Sequence, residues 1–486
     1  MSNRRRILFA IPKVKSMYGD DKGKPLYPHV GIAYLTSILK KNGYQVKIYD
    51  QGVEPDIQIL FDLIKSYQPN IIGTTGFSYA YGYLEELIQN IKLVTSTPII
   101  VGGPHVSAIN SKILLDTPAD FGLRGEGDVS FPLFLSQFFK KTPNYKNIPG
   151  LIWKNNQKII ENPKPPYILN LDSLPIPDYN AFNFKLYPCF KEKLIPLITS
   201  RGCPYGCSYC SVRLSMGQCF RPRSAENVFK EIKYWYHKGF RKIDINDDCF
   251  TLDLKRAEKI CDLIIDNHLN LKIQLYNGIR VDCVSQKLLS KLKQVGCIFI
   301  AYGCESGSQK IIDKIGKNIK LEQVTQAVNW TNSAGIKNAV NFIIGHPSET
   351  YSDALETLSF AKSLNTNFVN FYNLVPYPGT PAYDWAVKNA RFLYPKESYL
   401  QTISYRDNSP IFDTPEFTAP QRHHIMEVGF NLYEKKLLSF RLGKHLGAMI
   451  YILTRNKNIS QFSHWLLINS SPVRLLVEKL IEKSKK

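Results

Sequence analysis

Short apolar runs alternate with amphipathic segments along the first 140 residues of the chain. Runs such as RILFAIP and TPIIVGG are rich in isoleucine and valine, whereas segments such as YLEELIQNIKLV repeat apolar residues at helical spacing. Short apolar runs bounded by turn residues are typical of buried parallel strands. Five such strand–helix units with short loops predict an α/β fold, in which residues 1–140 form a doubly wound five-stranded parallel sheet.

The predicted carboxyl ends of three of these strands bear glycine, and one of them also bears two threonines. Ligands of doubly wound sheets bind at the carboxyl ends of the strands, and glycine lets the backbone approach a ligand closely. Taken singly, each glycine could be ordinary turn chemistry. Together the strand ends predict a ligand site, whose candidate residues are Thr74, Thr75, Gly102, Gly103, Gly125, Glu126 and Gly127.

A second series of strand–helix units follows a segment of different composition. Residues 141–190 are rich in proline and asparagine and predict a linker or a wrapping segment rather than a domain. Residues 191–390 repeat the strand–helix pattern six times, which predicts a parallel, partial (β/α)6 barrel. Chemistry in such barrels lies on the loops after the strands, so the loop after the first strand, SRGCPYGCSYCS, should carry a catalytic group.

That loop holds three of the ten cysteines of the chain, Cys203, Cys207 and Cys210. Closed structural zinc sites use four ligands. Three thiolates that bind three irons of a cubane cluster instead leave the fourth iron open to a substrate or cofactor. The spacing therefore favours an iron–sulfur cluster. A zinc site completed by a distant histidine or cysteine, or three ordinary core cysteines, are the alternatives.

Composition and charge narrow the class of protein. Hydrophobic residues make up 44% and aromatic residues 12% of the chain, which indicates a folded protein. The start of the sequence predicts no secretory signal, and no run approaches the roughly 20 apolar residues of a membrane span, so the expected location is cytoplasmic. The net charge of +21 fits nucleic acid, an anionic membrane surface or an acidic substrate, but a solvated lysine-rich surface also explains it.

Residues 391–486 contain no recognisable motif and predict a basic, mainly helical region. Its segment 441–486 holds nine Lys or Arg against two Glu, a net charge of +7, with Trp465, Leu466 and other apolar residues between them. Helices of this composition can lie on anionic lipid, which would make the protein membrane-associated. They can equally pack on the barrel with a solvated basic face.

The cysteine loop resembles the C-x3-C-x2-C motif of the radical S-adenosylmethionine (SAM) enzymes. The segments INDDCFT, GIRVD, NFIIGHPSET and PYPGTPAYDWA resemble segments of that family and occur in the expected order. The first domain resembles the cobalamin-binding domain of one branch of the family. That branch includes the anaerobic Mg-protoporphyrin monomethyl ester cyclase and cobalamin-dependent methylases.

The resemblance implies three cofactors and a radical reaction. Cys203, Cys207 and Cys210 would hold a [4Fe–4S] cluster, SAM would bind at its open iron, and cobalamin would bind to residues 1–140. Reductive cleavage of SAM would then drive methylation or cyclisation of an unactivated carbon in a small-molecule or lipid-like substrate. Reduced flavodoxin or ferredoxin would supply the electron.

The same resemblance assigns residues to SAM. It implies that Tyr209, Ile343 and Gly345 lie at the adenine and that Glu305 accepts from the ribose hydroxyls. It also implies that Asp247 and Asp248 bind the ammonium or the ribose, and that Arg280 binds the carboxylate. Two of these assignments have simple structural alternatives. Asp248 could cap a helix, and Arg280 could form a surface ion pair.

Two positions depart from the family pattern. Gly52 stands where mutase-type cobalamin proteins carry the cobalt-binding histidine of D-x-H-x-x-G, and only Asp50 of that motif is retained. Cobalamin is therefore expected to bind without a protein ligand on cobalt. His105 is the only other candidate cobalt ligand in that predicted sheet. The second departure is Asn341, which stands where the adenine segment of the family often begins with glycine.

Two other functional classes fit parts of the sequence. The charge suggests a radical SAM enzyme that modifies tRNA. Methylthiotransferases of that kind carry cluster cysteines in an amino-terminal domain, whereas residues 1–188 contain no cysteine, so a nucleic-acid partner is disfavoured. A non-catalytic cobalamin- or zinc-binding module would leave the barrel and its cysteine loop without a role.

Overall fold

A computed structural model describes residues 5–14, 25–156, 158–396, 398–402 and 409–455 of the chain. These residues form two α/β units in succession, followed by a region that is mainly helical. The last part of the basic C-terminal segment, residues 456–486, lies outside the described residues. The membrane contact expected of that segment therefore has no structural counterpart here.

The first unit is a seven-stranded sheet. Its strands are β1 (Arg6–Ile11), β2 (Gln45–Asp50), β3 (Ile71–Thr75), β4 (Ile99–Gly102), β5 (Phe121–Leu123), β6 (Leu151–Asn155) and β7 (Lys158–Glu161). They lie in the order β2-β1-β3-β4-β5-β6-β7, and β1 to β5 are parallel. The predicted doubly wound parallel sheet is confirmed. The strand order reverses direction between β1 and β3, and doubly wound sheets bind ligands at such a topological switch point.

The sheet is wider than predicted, because part of the segment 141–190 joins it. Strand β6 pairs antiparallel with β5, and β7 returns as a hairpin beside β6. Leu151 and Ile152 at the start of β6 are fully buried. The hairpin covers the edge of β5, so this part of the expected linker is an extension of the first sheet.

Helices cover both faces of the first sheet. They are α1 (Val30–Lys41), α2 (Ile57–Tyr67), α3 (Tyr81–Val94), α4 (Pro104–Ile109), α5 (Lys112–Asp116) and α6 (Gly127–Phe138). Phe9 packs with Phe131 in one apolar core, whereas Leu8 packs with Leu84 in another. Adjacent residues of β1 thus face opposite cores, as expected for a strand that is buried on both faces.

The second unit is a six-stranded parallel sheet that forms a partial barrel. In chain order, its strands and two short additional strands are β8 (Leu194–Leu197), β9 (Ser200–Arg201), β10 (Arg221–Pro222), β11 (Lys242–Ile245), β12 (Lys272–Ile279), β13 (Cys297–Glu305), β14 (Lys337–Ile344) and β15 (Phe368–Asn373). The barrel order is β15-β14-β13-β12-β11-β8, and β9 pairs separately with β10. The predicted six-stranded barrel is confirmed, with β8 and β15 at its two ends.

Helices flank the barrel strands, and several of them begin at a side-chain cap. They are α7 (Pro188–Lys191), α8 (Val212–Ser215), α9 (Ala225–His237), α10 (Leu254–Asp266), α11 (Gln286–Gln294), α12 (Gln309–Lys314), α13 (Leu321–Ser333) and α14 (Tyr351–Ser363). Ser224, Asp253 and Ser285 each accept a hydrogen bond from the first turn of the helix that follows. Such caps satisfy amides that have no partner within the helix, so they fix where α9, α10 and α11 begin.

The C-terminal region closes against the barrel. It contains α15 (Pro381–Asn389), β16 (Arg391–Phe392), α16 (Tyr399–Thr402), β17 (Phe412–Asp413), α17 (Ala419–Leu442) and α18 (Lys444–Arg455). Helix α17 packs on β15 and α14, and its Ile425 and Met426 share an apolar core with Ile344. Within the described ranges, every helix is either too short or too polar to cross a membrane.

Candidate functional site

One cavity of about 560 Å³ lies between the carboxyl ends of the first sheet and the barrel. On the side of the first sheet, it is lined by all the predicted strand-end residues, Thr74, Thr75, Gly102, Gly103, Gly125, Glu126 and Gly127. On the side of the barrel, it is lined by Ser200, Arg201, Met216, Asn246, Asp248 and Asn277. The predicted ligand site of the first unit therefore opens into the same cavity as residues next to the cysteine loop.

Bare backbone forms part of the cavity wall. A Cβ atom on Gly102 would have the Leu123 carbonyl oxygen, 3.7 Å away, as its neighbour. Gly103 has a φ of +98°, and a Cβ atom there would lie 2.5 Å from Thr75 Oγ1, so this turn requires glycine. The Thr74 hydroxyl is buried and has no hydrogen-bond partner within the described part of the chain. A glycine-lined cavity with an unpaired hydroxyl fits the cobalamin that the family resemblance implies.

At the position where mutase-type cobalamin proteins carry the cobalt-binding histidine, this chain has Gly52 within a closed hydrogen-bond arrangement. Asp50 accepts hydrogen bonds from the Gly52 amide at 2.9 Å and from the Tyr187 hydroxyl at 2.6 Å. Burial raises the pKa of Asp50 to about 6. His105 lies on α4 with Nδ1 3.0 Å from Ser78 Oγ, and it is not among the residues that line the cavity. Neither position therefore presents a histidine to the cavity.

Buried ion pairs join the first sheet to the start of the cysteine loop. Arg201 Nη1 lies 3.0 Å from Glu126 Oε1 and 2.8 Å from Asp128 Oδ2. Arg221 Nη1 lies 2.8 Å from Glu126 Oε2, which also accepts a hydrogen bond from the Ile168 amide. Although burial lowers the pKa of Arg201, Asp128 and Glu126 raise it above its usual value. Glu126 thus lines the cavity, but its carboxylate is paired with Arg201 and Arg221 rather than left open to a ligand.

The cysteine loop follows β9 and is shaped by Gly202. This residue has a φ of +79°, and a Cβ atom on it would lie 2.4 Å from the Cys219 carbonyl oxygen. The Gly202 amide donates to Asp248 Oδ2 at 2.9 Å, and the Ser208 amide donates to the Ile315 carbonyl at 2.9 Å. The loop is therefore held at both ends, against the end of β11 and against the segment after α12.

The three cysteines of the loop are free thiols. Cys203 and Cys210 are partly exposed, whereas Cys207 is buried. A hydrogen bond from Cys249 lowers the pKa of Cys203 to about 6, and burial raises the pKa of Cys210 to about 12. In the described ranges, no three His, Cys, Asp or Glu side chains are grouped as a metal site, so the thiols are not drawn around a common centre. Three thiols on one loop remain a donor set that fits an iron–sulfur cluster.

The two predicted acids after β11 have different surroundings. Asp247 is 2% exposed, and it accepts hydrogen bonds from the Thr199 amide, the Thr199 hydroxyl and the Ser200 hydroxyl. Asp248 lines the cavity, and burial raises its pKa to about 6. Asp248 therefore faces the space where a ligand would bind, whereas Asp247 supports the backbone in front of the cysteine loop.

The Arg280 guanidinium contacts groups of the protein itself. Its Nε and Nη2 atoms each lie 2.9 Å from a carboxylate oxygen of Asp282. Nη2 also donates to the Lys317 carbonyl at 2.8 Å, and the guanidinium carbon lies 3.4 Å from the Tyr205 ring centroid. The bidentate contact that was expected with the SAM carboxylate is made with Asp282 in this structure.

Lys317, which lies outside the sequence motifs, contacts both Glu305 and Tyr209. Lys317 Nζ lies 2.8 Å from Glu305 Oε1 and 3.4 Å from the Tyr209 hydroxyl. Although burial lowers the pKa of Lys317, the ion pair with Glu305 raises it above its usual value. Glu305 has a φ of +76°, a strained conformation for a residue other than glycine. Two of the predicted SAM residues therefore belong to one buried polar group.

The turn after β14 forms a second buried polar group. Glu349 accepts hydrogen bonds from the amides of Gly345 and His346. Gly345 has a φ of +98°, and a Cβ atom there would lie 2.3 Å from Arg422 Nη1, so glycine lets α17 approach this turn. The His346 ring is fully buried 5.5 Å from the Tyr209 ring. Burial raises the pKa of Glu349 to about 7 and lowers that of His346 to about 4.

Two of the three adenine residues named from the sequence contribute to one apolar cluster. Ile343 and Tyr209 pack on the same apolar cluster. Lys317 and Arg422 were missed because they lie outside every segment that resembles the family. His346 and Glu349 lie within NFIIGHPSET, so that segment was the available signal for them.

Two family models match the chain. The radical SAM superfamily matches residues 197–361, and the B12 binding domain matches residues 21–135. The first match spans the cysteine loop and most of the barrel. The second spans the strand ends that line the cavity.

Similar proteins are found among both sequences and structures. An uncharacterized methyltransferase of Pyrococcus horikoshii is 31% identical over 458 residues, which cover 92% of this chain and 96% of that protein. The anaerobic magnesium-protoporphyrin IX monomethyl ester cyclase of Cereibacter sphaeroides is 26% identical over 392 residues, covering 78% of this chain and 63% of the cyclase. The fold is similar to that of TsrM, a radical SAM methyltransferase from Kitasatospora setae, with a TM-score of 0.65, 18% identity and coverage of 78% and 74% of the two chains.

Proposed function

Because this chain belongs to the cobalamin-dependent radical SAM enzymes, we propose that it methylates or cyclises an unactivated carbon of a small-molecule or lipid-like substrate. The observation that carries the proposal is the cavity between the two units. Thr74 and Gly102 line one side of it, and Asp248 lines the other side beside the cysteine loop. A reaction that uses SAM and cobalamin on one substrate requires both sites to face a common space.

The cofactors would supply the reactive chemistry and the chain would position it. When bound, the cluster with SAM supplies one-electron chemistry and cobalamin supplies a methyl carrier. Cys203, Cys207 and Cys210 would hold the cluster, and the glycine-rich strand ends would let the corrin lie against the backbone. The buried pairs of Arg201 tie the wall of the first sheet to the loop, which keeps the two sites at a fixed separation.

The SAM contacts proposed here follow from where each side chain lies. Asp248 would accept from the SAM ammonium, because its carboxylate lines the cavity. Tyr209 and Ile343 would flank the adenine, and Glu305, held by Lys317, would accept from the ribose hydroxyls. Arg280 would reach the SAM carboxylate only by exchanging one of its bonds with Asp282. Asp247 and Gly345 would act indirectly, by holding the backbone on which these residues lie.

Cofactor analysis of the anaerobically purified full chain tests this function. Reduced flavodoxin or ferredoxin is the proposed electron donor, and dithionite can replace it in the assay. We expect iron, sulfide and bound corrin in the same protein, together with formation of 5′-deoxyadenosine from SAM. Stoichiometric zinc without iron would contradict the radical mechanism. A filled cluster in protein that does not take up cobalamin would contradict methylation through cobalamin.

The basic C-terminal segment is proposed to bring the enzyme to an anionic membrane surface that holds a lipid-like substrate. In its described part, Met449 and Ile452 of α18 are exposed, and the helix begins and ends with basic residues. Each Lys or Arg near an anionic surface contributes on the order of 1 kcal/mol of binding free energy. We expect the full chain to float with anionic vesicles and to be partly released by salt, and a chain that ends at Phe440 to stay behind. Equal flotation of the two chains would make the segment structural and favour a soluble substrate.

A further inference from the structure

His29 begins the first helix at the wall of the cavity. Its Nδ1 atom accepts a hydrogen bond from the Ile32 amide at 3.3 Å, which caps α1. Burial lowers the pKa of His29 to about 4, so the ring is neutral near pH 7. A neutral imidazole carries one proton, and the nitrogen that accepts a hydrogen bond cannot carry it. The cap therefore places the proton of His29 on Nε2.

This Nε2–H group is a donor without an acceptor. Nε2 is inaccessible to solvent, and no group among the described residues lies within hydrogen-bond distance of it. Buried polar groups are normally paired, and leaving one unpaired costs free energy. His29 lines the cavity together with Thr74, whose buried hydroxyl is also unpaired. Two unsatisfied polar groups at one cavity point to a ligand that supplies their partners. Because neither atom is accessible to water, the ligand reaches them only when a neighbouring side chain of the wall moves aside.

The ring of His29 is held in one orientation by its neighbours. It stacks on Phe77 with centroids 5.4 Å apart and an angle of 28° between the planes. Phe77 in turn stacks on Tyr79 at 5.3 Å and 11°, and both aromatic rings line the cavity. A Cβ atom on Gly31 would lie 3.2 Å from His29 Cε1, so the glycine leaves room for the ring. The donor is therefore fixed in direction before any ligand binds.

We propose that His29 is a cobalamin-binding residue whose Nε2–H donates a hydrogen bond to an oxygen at the edge of the corrinoid. This inference rests on the proposed function, because it places cobalamin in the cavity. The acceptor is an amide carbonyl on the corrin ring or a phosphate oxygen of the nucleotide loop. Ligation of cobalt through Nε2 would require the proton to lie on Nδ1, which would break the cap of α1, so we assign His29 as a donor rather than as a cobalt ligand.

The test separates the donor role of His29 from its capping role. His29→Asn keeps a side-chain oxygen that can cap α1, since asparagine is a preferred N-cap residue. Its amide NH2 ends one bond nearer the backbone, so the variant has no donor at the position of Nε2. Anaerobically reconstituted full chain would be titrated with hydroxocobalamin and with dicyanocobinamide, which lacks the nucleotide loop. His105→Ala is the matched control, because it removes a buried histidine of the same unit that does not line the cavity. Far-UV circular dichroism of each variant would establish that it is folded.

We expect His29→Asn to bind hydroxocobalamin about three- to tenfold more weakly, as for the loss of one neutral hydrogen bond, and His105→Ala to bind it as the wild type does. Equal weakening for cobinamide assigns the acceptor to the corrin ring, and weakening for hydroxocobalamin alone assigns it to the nucleotide loop. Unchanged affinities of His29→Asn for both would overturn the proposal.

The electron paramagnetic resonance spectrum of the cob(II)alamin form supplies a second readout. We expect the same cobalt signal in wild type and His29→Asn. Loss of a nitrogen splitting in the variant would show that His29 binds cobalt, and would overturn its assignment as a donor. A wild type that binds neither corrinoid would refute the proposed function itself. That outcome differs from one in which the wild type binds and the variant is unchanged.

Discussion

Replacing Cys203, Cys207 and Cys210 together by alanine is expected to remove all cluster iron and all cleavage of SAM. The three thiols are free and come from one loop that is held at both ends. Anaerobic reconstitution of the wild type should yield about four irons and four sulfides per chain, the content of a cubane cluster. Iron and sulfide analysis, the visible absorption spectrum and the yield of 5′-deoxyadenosine measure the effect.

Cys219→Ala is the matched control for this prediction. Cys219 lies close to the cysteine loop, but its thiol is exposed and outside the motif. We expect this variant to retain the iron content and SAM cleavage of the wild type. A triple variant that still binds iron, or a control that loses it, would contradict the assignment of the three ligands.

Arg201→Met is expected to destabilise the folded protein by about 3–5 kcal/mol, because it leaves a buried carboxylate without its cation. Asp128 has both carboxylate oxygens within 3.1 Å of Arg201, whereas Glu126 also has Arg221 as a partner. The uncompensated charge is therefore mainly that of Asp128. Urea denaturation of the full chain, followed by tryptophan fluorescence, measures the loss.

Two further variants identify the cause of that loss. Lys242→Met breaks an ion pair of similar length, 2.8 Å to Glu192, whose side chains are 34% and 56% exposed. Exposed pairs contribute about 0–1 kcal/mol, so this control should change stability little. Adding Asp128→Asn to Arg201→Met should recover part of the loss, since the unpaired charge is then gone. Equal losses for Arg201→Met and Lys242→Met would contradict a buried ionic link between the two units.

The two sheets could be predicted from the sequence because their signal is local. Strands such as β1 and β3 are buried on both faces and therefore read as continuous apolar runs. The β6–β7 hairpin was missed because its strands carry a weaker pattern. β7 is not fully buried at any position, and the hairpin lies in a proline-rich segment that resembles a linker.

The candidate site could be predicted only where its residues lie in one motif. The three cysteines lie within eight consecutive positions, so the sequence alone shows that they share one loop. Glu126 and Arg201 are 75 residues apart, and only the packing of the two units brings them together. Arg280 shows another limit. Asp282 is only two residues away in the sequence, but the sequence does not indicate whether the guanidinium binds Asp282 or a ligand. His29 was missed because its role depends on an unpaired nitrogen that only three-dimensional structure reveals.

The β6–β7 hairpin determines where the first unit ends, and therefore which segment can be exchanged between related enzymes. A chimera joined at residue 140 would separate β5 from β6 and expose the backbone edge of β5, which is three residues long. Exposed strand edges promote aggregation, because their backbone groups can pair with another chain. A junction after residue 161 keeps the sheet whole. The recipient barrel must then provide an arginine where Arg201 meets Asp128, since an imported acid without its cation would be buried and unpaired. Recombining such a first unit with a new barrel therefore requires that this strand pairing be kept whole and that the buried acids of the first unit find their cations, since Arg221 pairs with Glu126 in the same way.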